Sequence, residues 1–409
     1  MKTNIQLDRE VVAADLLADY QPGSSFFFAS PRATLLAQGT IADLPESPHG
    51  NELQSLPERA ARLLAHIRQP GQSVPMLVGA VPFDPMQPAQ LVVPMTTRKM
   101  GPLQFEPHER VRRPIGSNFE TVAIPSAEGY VSGVEKALKR LRSGELDKIV
   151  LARSLKLTSP NKVDLRQLLR NLAVHNTHGY TFAVDLPKRV EGNLQAPPSI
   201  ESRTLIGASP ELLVSRSGRE VVVNPLAGSA PRSEDPIEDA RRAKELLVSP
   251  KDLREHALVI EAVAEALRPF CHNLDVPQAP SLVQTATMWH LSTELRGELT
   301  DPSVTSLALA VALHPTPAVC GSPTALAREA IREIEPFDRG FYTGLVGWCD
   351  ASGDGEWIIT IRCAVAESRS LQLYAGAGVV AESSAESELQ ETTAKFRTML
   401  HAMGINHES

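Results

Sequence analysis

Between Arg203 and Asn224 three apolar runs, 203–208, 211–216 and 220–224, follow one another with room only for tight turns between them. Strands joined that closely pair antiparallel, because a parallel return needs a crossover of about a dozen residues or more. A second strand-rich stretch follows at 342–349, 356–365 and 371–376. Helix-period segments at 165–174, 236–247, 250–268, 302–313, 323–334 and 385–403 surround these strands without separating each from the next. A purely parallel sheet is thereby disfavoured, and the expected class is α+β, mostly antiparallel sheets flanked by helices.

Earlier in the chain, 57–69 reads as a helix leading into a strand at 75–83, and 84–115, rich in Pro, Arg and Met without clear period, reads as a linker. Val131, Val134, Leu138 and Leu141 recur at helical spacing, Gly144 can end that helix, and "DKIVLARSLKL" follows as a strand. The polar, proline-containing segment 187–202 between two apolar strands reads as a long exposed hairpin loop. No repeat of 20 to 50 residues points to a solenoid or propeller.

Apolar residues make up 42% of the 409, enough for a substantial core, and 41 basic against 48 acidic residues give a net charge of −7. No long run of one sign marks a nucleic-acid or membrane-binding face. Cys271, Cys320, Cys349 and Cys363 lie in or near apolar stretches without Cys-x-x-Cys spacing, as expected in a reducing cytoplasm. The acids in "MKTNIQLDREVVAADLL" interrupt what a signal peptide needs to be apolar, and no 18 consecutive apolar residues occur, so neither secretion nor membrane spanning is expected.

Two acidic pairs share one spacing: Asp252 with Glu255, and Glu388 with Glu391, each near the start of a helix. Ser249 and Pro250 make Asp252 a capping residue at N3, and Glu255 and Glu391 can form ordinary surface pairs with Lys251 and Lys395. The same spacing puts each pair on one helix face, and two such faces opposed would form an oxygen-rich pocket suited to Mg²⁺.

Other residues carry similar double readings. Lys148, at the front of a strand whose same-face residues are Val150, Ala152 and Ser154, either snorkels to water or, in a dry site, becomes a general base. Glu211 starts a strand after Ser209-Pro210, facing either solvent or a cleft, and Gly228-Ser229 form either a common turn or a pair of amides that cradle a carboxylate. His290 beside a tryptophan is either a satisfied core residue or a functional one. Arg362, within the apolar run "EWIITIRCAV", needs an anion, from the protein or from a ligand. Gly376 and Gly378 allow close backbone approach to a ligand, but the dinucleotide fingerprint is incomplete.

In their order along the chain, "DKIVLARS", "GASPELLV", "NPLAGSA", "KDLREH", "TMWHLST", "HPTPAVCGSP", "EPFDRGFYTGLVGW", "TIRCA", "YAGAG" and "ESELQETTAKF" resemble the chorismate-utilising enzymes over about 120–405. That family includes the isochorismate, anthranilate, salicylate and aminodeoxychorismate synthases. "FFFASPR" and "VGAVPFDP" resemble specifically the isochorismate synthases of catecholate siderophore pathways. The resemblance implies the large single-domain fold of those enzymes over 1–409, with 1–115 its N-terminal portion and 120–405 its catalytic core.

It also implies roles. Glu255 and Glu391 would bind Mg²⁺ directly, with Asp252 and Glu388 acting through water; Asp252 departs from the glutamate of some members. Lys148 would activate water for attack at C2 of chorismate and Glu211 would protonate the departing C4 hydroxyl, which calls for a dry cleft, a raised carboxyl pKa and a lowered lysine pKa. His290 is assigned to the ring or enolpyruvyl group. Arg362, Lys395 and the Gly228 and Ser229 amides would receive carboxylate oxygens, and Ala227, Val319, Tyr342, Gly376, Ala377 and Gly378 would complete the substrate site. Enteric-type aminodeoxychorismate synthases carry a nucleophilic lysine where this chain has Ala227, and ammonia-using relatives generally lack a lysine at the position of Lys148. Water is therefore the expected nucleophile, and a cytoplasmic monomer without an amidotransferase subunit the expected form. A salicylate synthase, which adds pyruvate elimination, and a non-catalytic chorismate-binding homologue are the alternatives.

Overall fold

The computed structural model describes residues 12–405 except 49, 70, 72, 73, 117, 177 and 192–198. Among them the strands form sheets of ten, nine and three strands. Every strand pairing is antiparallel. This is the α+β class expected from strands following strands.

The two large sheets lie face to face. Phe28, Phe182 and Leu205 of the ten-stranded sheet share one core with Val78, Val346 and Ile358 of the nine-stranded sheet. Helices cover the outer faces: Leu165–His175 and Ala385–Met403 close over the first sheet, and Leu56–Ile67, Pro250–Leu267 and Ser306–Leu313 over the second. Strands covered on both sides cannot show apolar–polar alternation, which is why their sequences read as continuous apolar runs. Strand Lys148–Thr158 is the clearest case. Ile149 and Leu151 pack under helices Ala127–Arg142 and Thr324–Ile334, whereas Ala152 belongs to the core between the sheets.

Residues 84–115 are not a linker. Gln90–Val93 pairs with Met76–Val81 in the nine-stranded sheet, and Thr96–Met100 pairs with Thr34–Gln38 in the ten-stranded one. The polar, mostly exposed sequence TTRKM at a sheet edge hides the second strand from an apolar-run reading. The first 115 residues thus contribute strands to both large sheets, with Ser25–Ala29 paired to Tyr180–Glu191 and Met76–Val81 to Leu345–Asp350. The expected hairpin at 187–202 runs further as strand: Tyr180–Glu191 and Ser199–Ser209 pair out to Glu191 and Ser199, and the tip lies outside the described residues.

The strand expected over 356–365 is two strands, Gly355–Ile359 and Cys363–Ala366, in different sheets. The break contains Arg362 at φ +51°, a left-handed conformation that ends a strand and that an arginine adopts only at a cost. Ser370–Val379 lies beside Lys148–Thr158 through ten successive pairs, with Gly376 opposite Ala152 and Gly378 opposite Val150.

Candidate active site

A cleft opens where the ends of these strands meet the starts of two helices. Helix Pro250–Leu267 begins at the Ser249 cap, whose Oγ accepts from the Asp252 amide at 3.3 Å, and it presents buried Glu255 one turn further on. Helix Ala385–Met403, capped by Ser384, presents Glu388, Glu391 and Lys395. Of the residues singled out in the sequence, Glu211, Ala227, Gly228, Ser229, Glu255, His290, Val319, Tyr342, Arg362, Gly376, Gly378, Glu391 and Lys395 line this one cleft.

Lys148 stands directly behind that lining. It is 0% exposed, and its Nζ lies 2.9 Å from Glu255 Oε1. The contact is close but poorly aligned, so Nζ makes no hydrogen bond among the described residues. Gly378 makes the contact possible, since a Cβ there would lie 2.2 Å from Glu255 Oε1 and 3.0 Å from Lys148 Cε.

Glu211 is 2% exposed. Burial pushes its carboxyl up to about 7, against the pull of the Leu226 amide and of the Lys148, Arg362 and Lys395 charges. Its own amide donates to Ser209 Oγ at 3.2 Å, and that hydroxyl donates to the Ile359 carbonyl at 2.7 Å, which fixes the turn that aims it. A buried carboxyl with this affinity for protons is a proton donor near neutral pH.

His290, paired with Ser229 in the three-stranded sheet, is held neutral: burial, then Arg362 and Lys395, press its pKa well below the usual histidine range. Its Nε2 accepts from Arg362 Nη2 at 3.4 Å. Arg362 is 5% exposed, its Nε has no hydrogen bond, and it makes no ion pair among the described residues. A buried guanidinium in that condition is prepared for an anion from outside the chain.

The four acids do not converge. Among the described residues no three His, Cys, Asp or Glu side chains stand close enough to hold an ion. Cationic and hydroxyl groups lie between them instead: Lys148 at Glu255, Lys251 at 2.9 Å from Glu388, Lys395 at 2.6 Å and Ser229 at 2.9 Å from Glu391, and Ser249 at Asp252. They nonetheless feel one another. Burial and then the Glu391 charge push Glu388 up to about 7, and burial, with Glu255 and Glu391 adding, raises Asp252. Burial opposes charge on Glu391 too, but Lys395, Lys251 and Ser229 outweigh it and hold Glu391 below its ordinary value. Glu388 Oε2 is buried without an aligned donor. Hard carboxylate oxygens crowded in this way fit a hard divalent cation by donor type. Asp252 and Glu388 lie outside the cleft lining, and Ala377, 0% exposed, is also absent from it.

Sequence reading missed the frame beneath the cleft. Arg339 and Glu335, both with buried side chains, pair at 2.6 Å. Arg339 donates to the carbonyls of Val319 at 2.9 Å and Val150 at 2.7 Å, and Glu335 accepts from the Ala152 amide at 2.8 Å. His256 was missed as well: its Nδ1 lies 3.0 Å from the Ala227 carbonyl and its Nε2 2.8 Å from Thr293 Oγ1, holding strand Leu226–Pro231 near its register shift. Arg339 and Glu335 four apart in "EPFDRG", and a histidine next to Glu255, were the available signals.

Comparison with known proteins gives consistent matches. The family described as "Chorismate binding enzyme" matches residues 92–404. The chain is 59% identical to isochorismate synthase DhbC of Bacillus subtilis (strain 168), over 98% of this chain and 100% of that protein. It is 43% identical to the vibriobactin-specific isochorismate synthase of Vibrio cholerae, over 98% of each. The crystal structure of DhbC from Bacillus anthracis superposes with a TM-score of 0.90 at 54% identity, covering 97% of this chain and 100% of that one.

Proposed function

The chain belongs to the chorismate-binding enzyme family, and from that premise we propose that it is an isochorismate synthase of siderophore biosynthesis, acting as a single-domain monomer in the cytoplasm without an amidotransferase subunit. Among the described residues no helix is long and apolar enough to cross a membrane. The observation that carries the reading is a pair of buried groups of opposite role at one cleft: Glu211, with a carboxyl pKa pushed up to about 7, and Lys148, fully buried behind the lining with its Nζ 2.9 Å from Glu255 and without an aligned hydrogen bond among the described residues.

Chorismate becomes isochorismate when water adds at C2 and the C4 hydroxyl leaves as the ring double bonds shift. Lys148 takes the proton from the attacking water. Glu211 gives its proton to the departing hydroxyl, which leaves as water, and proton return from Lys148 to Glu211 through solvent resets the site. Arg362 and Lys395 receive carboxylate oxygens, and the Gly228 and Ser229 amides take another. Gly228 at φ +81° suits this position, because a Cβ there would meet Asp252 Cβ at 3.1 Å. His290, held neutral, orients Arg362 through its ring nitrogen.

Glu255 and Glu391 are the residues that would hold Mg²⁺, with Asp252 and Glu388 behind them. Bound there, the ion would supply positive charge to the ring carboxylate. The test is to incubate purified protein with chorismate, with and without Mg²⁺, and to separate products by chromatography. Metal-dependent isochorismate without pyruvate supports the proposal. Salicylate and pyruvate in equal amounts would reassign the enzyme to salicylate synthesis, and unchanged chorismate would leave a binding protein.

A further inference from the structure

Arg362 borders two cavities. One is the reaction cleft; the other is walled by Arg112, His175, Thr287, Thr398 and His401. Two residues that border this second cavity and not the reaction cleft carry nitrogens buried without a hydrogen-bond partner among the described residues, Arg112 Nε and His175 Nε2. A buried nitrogen left unpaired is costly, so two at one place call for a ligand. The Arg112 guanidinium can only donate and carries a positive charge, so it calls for an anion.

Charge supports the same conclusion. Burial, then Arg112, Arg110 and His401, lower the His175 pKa, and burial, then Arg112 and Arg397, lower that of His401, with Glu234 the acid acting the other way. This local positive field lies in a chain of net charge −7, so it is not a property of the surface as a whole. A third cavity, bordered by Arg232 and His178, shares His175, Asn176 and Thr285 with the cationic pocket and Pro210 with the reaction cleft. At the cationic pocket, Thr287 and Thr398 hydroxyls 3.0 Å apart tie the Thr285–Thr287 turn to the C-terminal helix.

We propose that the cavity of Arg112, His175 and His401 is a second anion subsite, which holds a carboxylate of a small organic dianion on its way between the outer cavity and the reaction cleft. The proposal rests on the isochorismate synthase reading only for the identity of that dianion. Its cationic rim raises the local concentration of dianion outside Arg362, an effect that salt screens.

The test uses the full chain and inorganic phosphate as probe, followed through the histidine ring signals in NMR. The His175 and His401 signals are expected to shift saturably with phosphate, and Arg112→Gln to weaken that binding at least roughly tenfold, the loss of one charge-assisted hydrogen bond. Arg112→Lys, which keeps the charge, should recover part of it. With chorismate and Mg²⁺, Arg112→Gln should raise KM by a similar factor with kcat changed less than about twofold, and should flatten the salt dependence of kcat/KM. Absence of a saturable shift at both rings, or equal phosphate binding by a folded Arg112→Gln protein, would overturn the subsite. Failure of the wild type to convert chorismate would instead remove the functional reading, while the phosphate titration would still decide the subsite.

Discussion

Arg339 and Arg362 are the same residue type at nearly the same burial, 3% and 5% exposed, on two sides of one cleft. Beneath it, Arg339 is satisfied: a paired glutamate, two backbone carbonyls and the Thr343 hydroxyl at 3.2 Å take its donors. Within it, Arg362 has one long contact to a neutral histidine, an orphan Nε and a left-handed backbone. Burial alone therefore does not separate scaffold from site. Hydrogen-bond accounting separates these two arginines, one with its donors taken by the protein and one with them left open.

The difference can be broken by mutation. Arg339→Ala leaves Glu335 as an uncompensated buried charge, and should cost about 3–5 kcal/mol in unfolding free energy by denaturant titration. Arg362→Ala should leave unfolding free energy within about 1 kcal/mol of wild type, since it removes an orphan donor along with packing. It should nevertheless weaken substrate use by about 2–3 kcal/mol in kcat/KM. If the two variants lost stability equally, the distinction would fail.

Smaller effects sharpen the comparison. Gly378→Ala places a methyl against the Lys148–Glu255 contact and should lower kcat while costing about 1–3 kcal/mol in stability, the usual range for an overpacked site. Glu211 contributes to the pH behaviour, alongside Glu388, which is also pushed up to about 7. The folded pKa of Glu211, about 7, lies above the ordinary 4.5, so the folded state binds the extra proton between those values. Its contribution to stability is present below pH 4.5 and is lost as pH rises through 7. The Glu211→Gln protein should therefore lose less stability over that window than wild type. In activity, kcat/KM of the wild type should fall about tenfold per pH unit above 7 as the donor ionises.

Much of the site was legible because its chemistry is concentrated in short motifs. The spacing of Asp252 and Glu255, repeated at Glu388 and Glu391, marked the two helix faces, and Lys148 at a strand start allowed a buried amine as one of two readings, the other being a lysine that snorkels to water. Arg362 stood out as a charge in an apolar run. The supporting frame was not legible for the opposite reason. The acceptors of Arg339 are carbonyls 20 and 189 residues away, and a backbone carbonyl carries no residue-type signal. His256 acts in the same way on the Ala227 carbonyl. Spacing on a helix fixes which face each of the four acids occupies, but not that Lys148, Lys251 and Lys395 reach them. The edge strand Thr96–Met100 escaped because an edge has no buried second face to show in its sequence.

The central claim is that buried Glu211 and Lys148 act as proton donor and base at one cleft. The most direct test is the kcat for isochorismate formation by Lys148→Ala and Glu211→Gln, with Mg²⁺ saturating and folding checked by unfolding midpoint. Each variant is expected to lose roughly 10²–10⁴-fold, the usual contribution of a positioned acid or base. A folded variant of either residue that kept kcat within a few-fold of wild type would contradict the account.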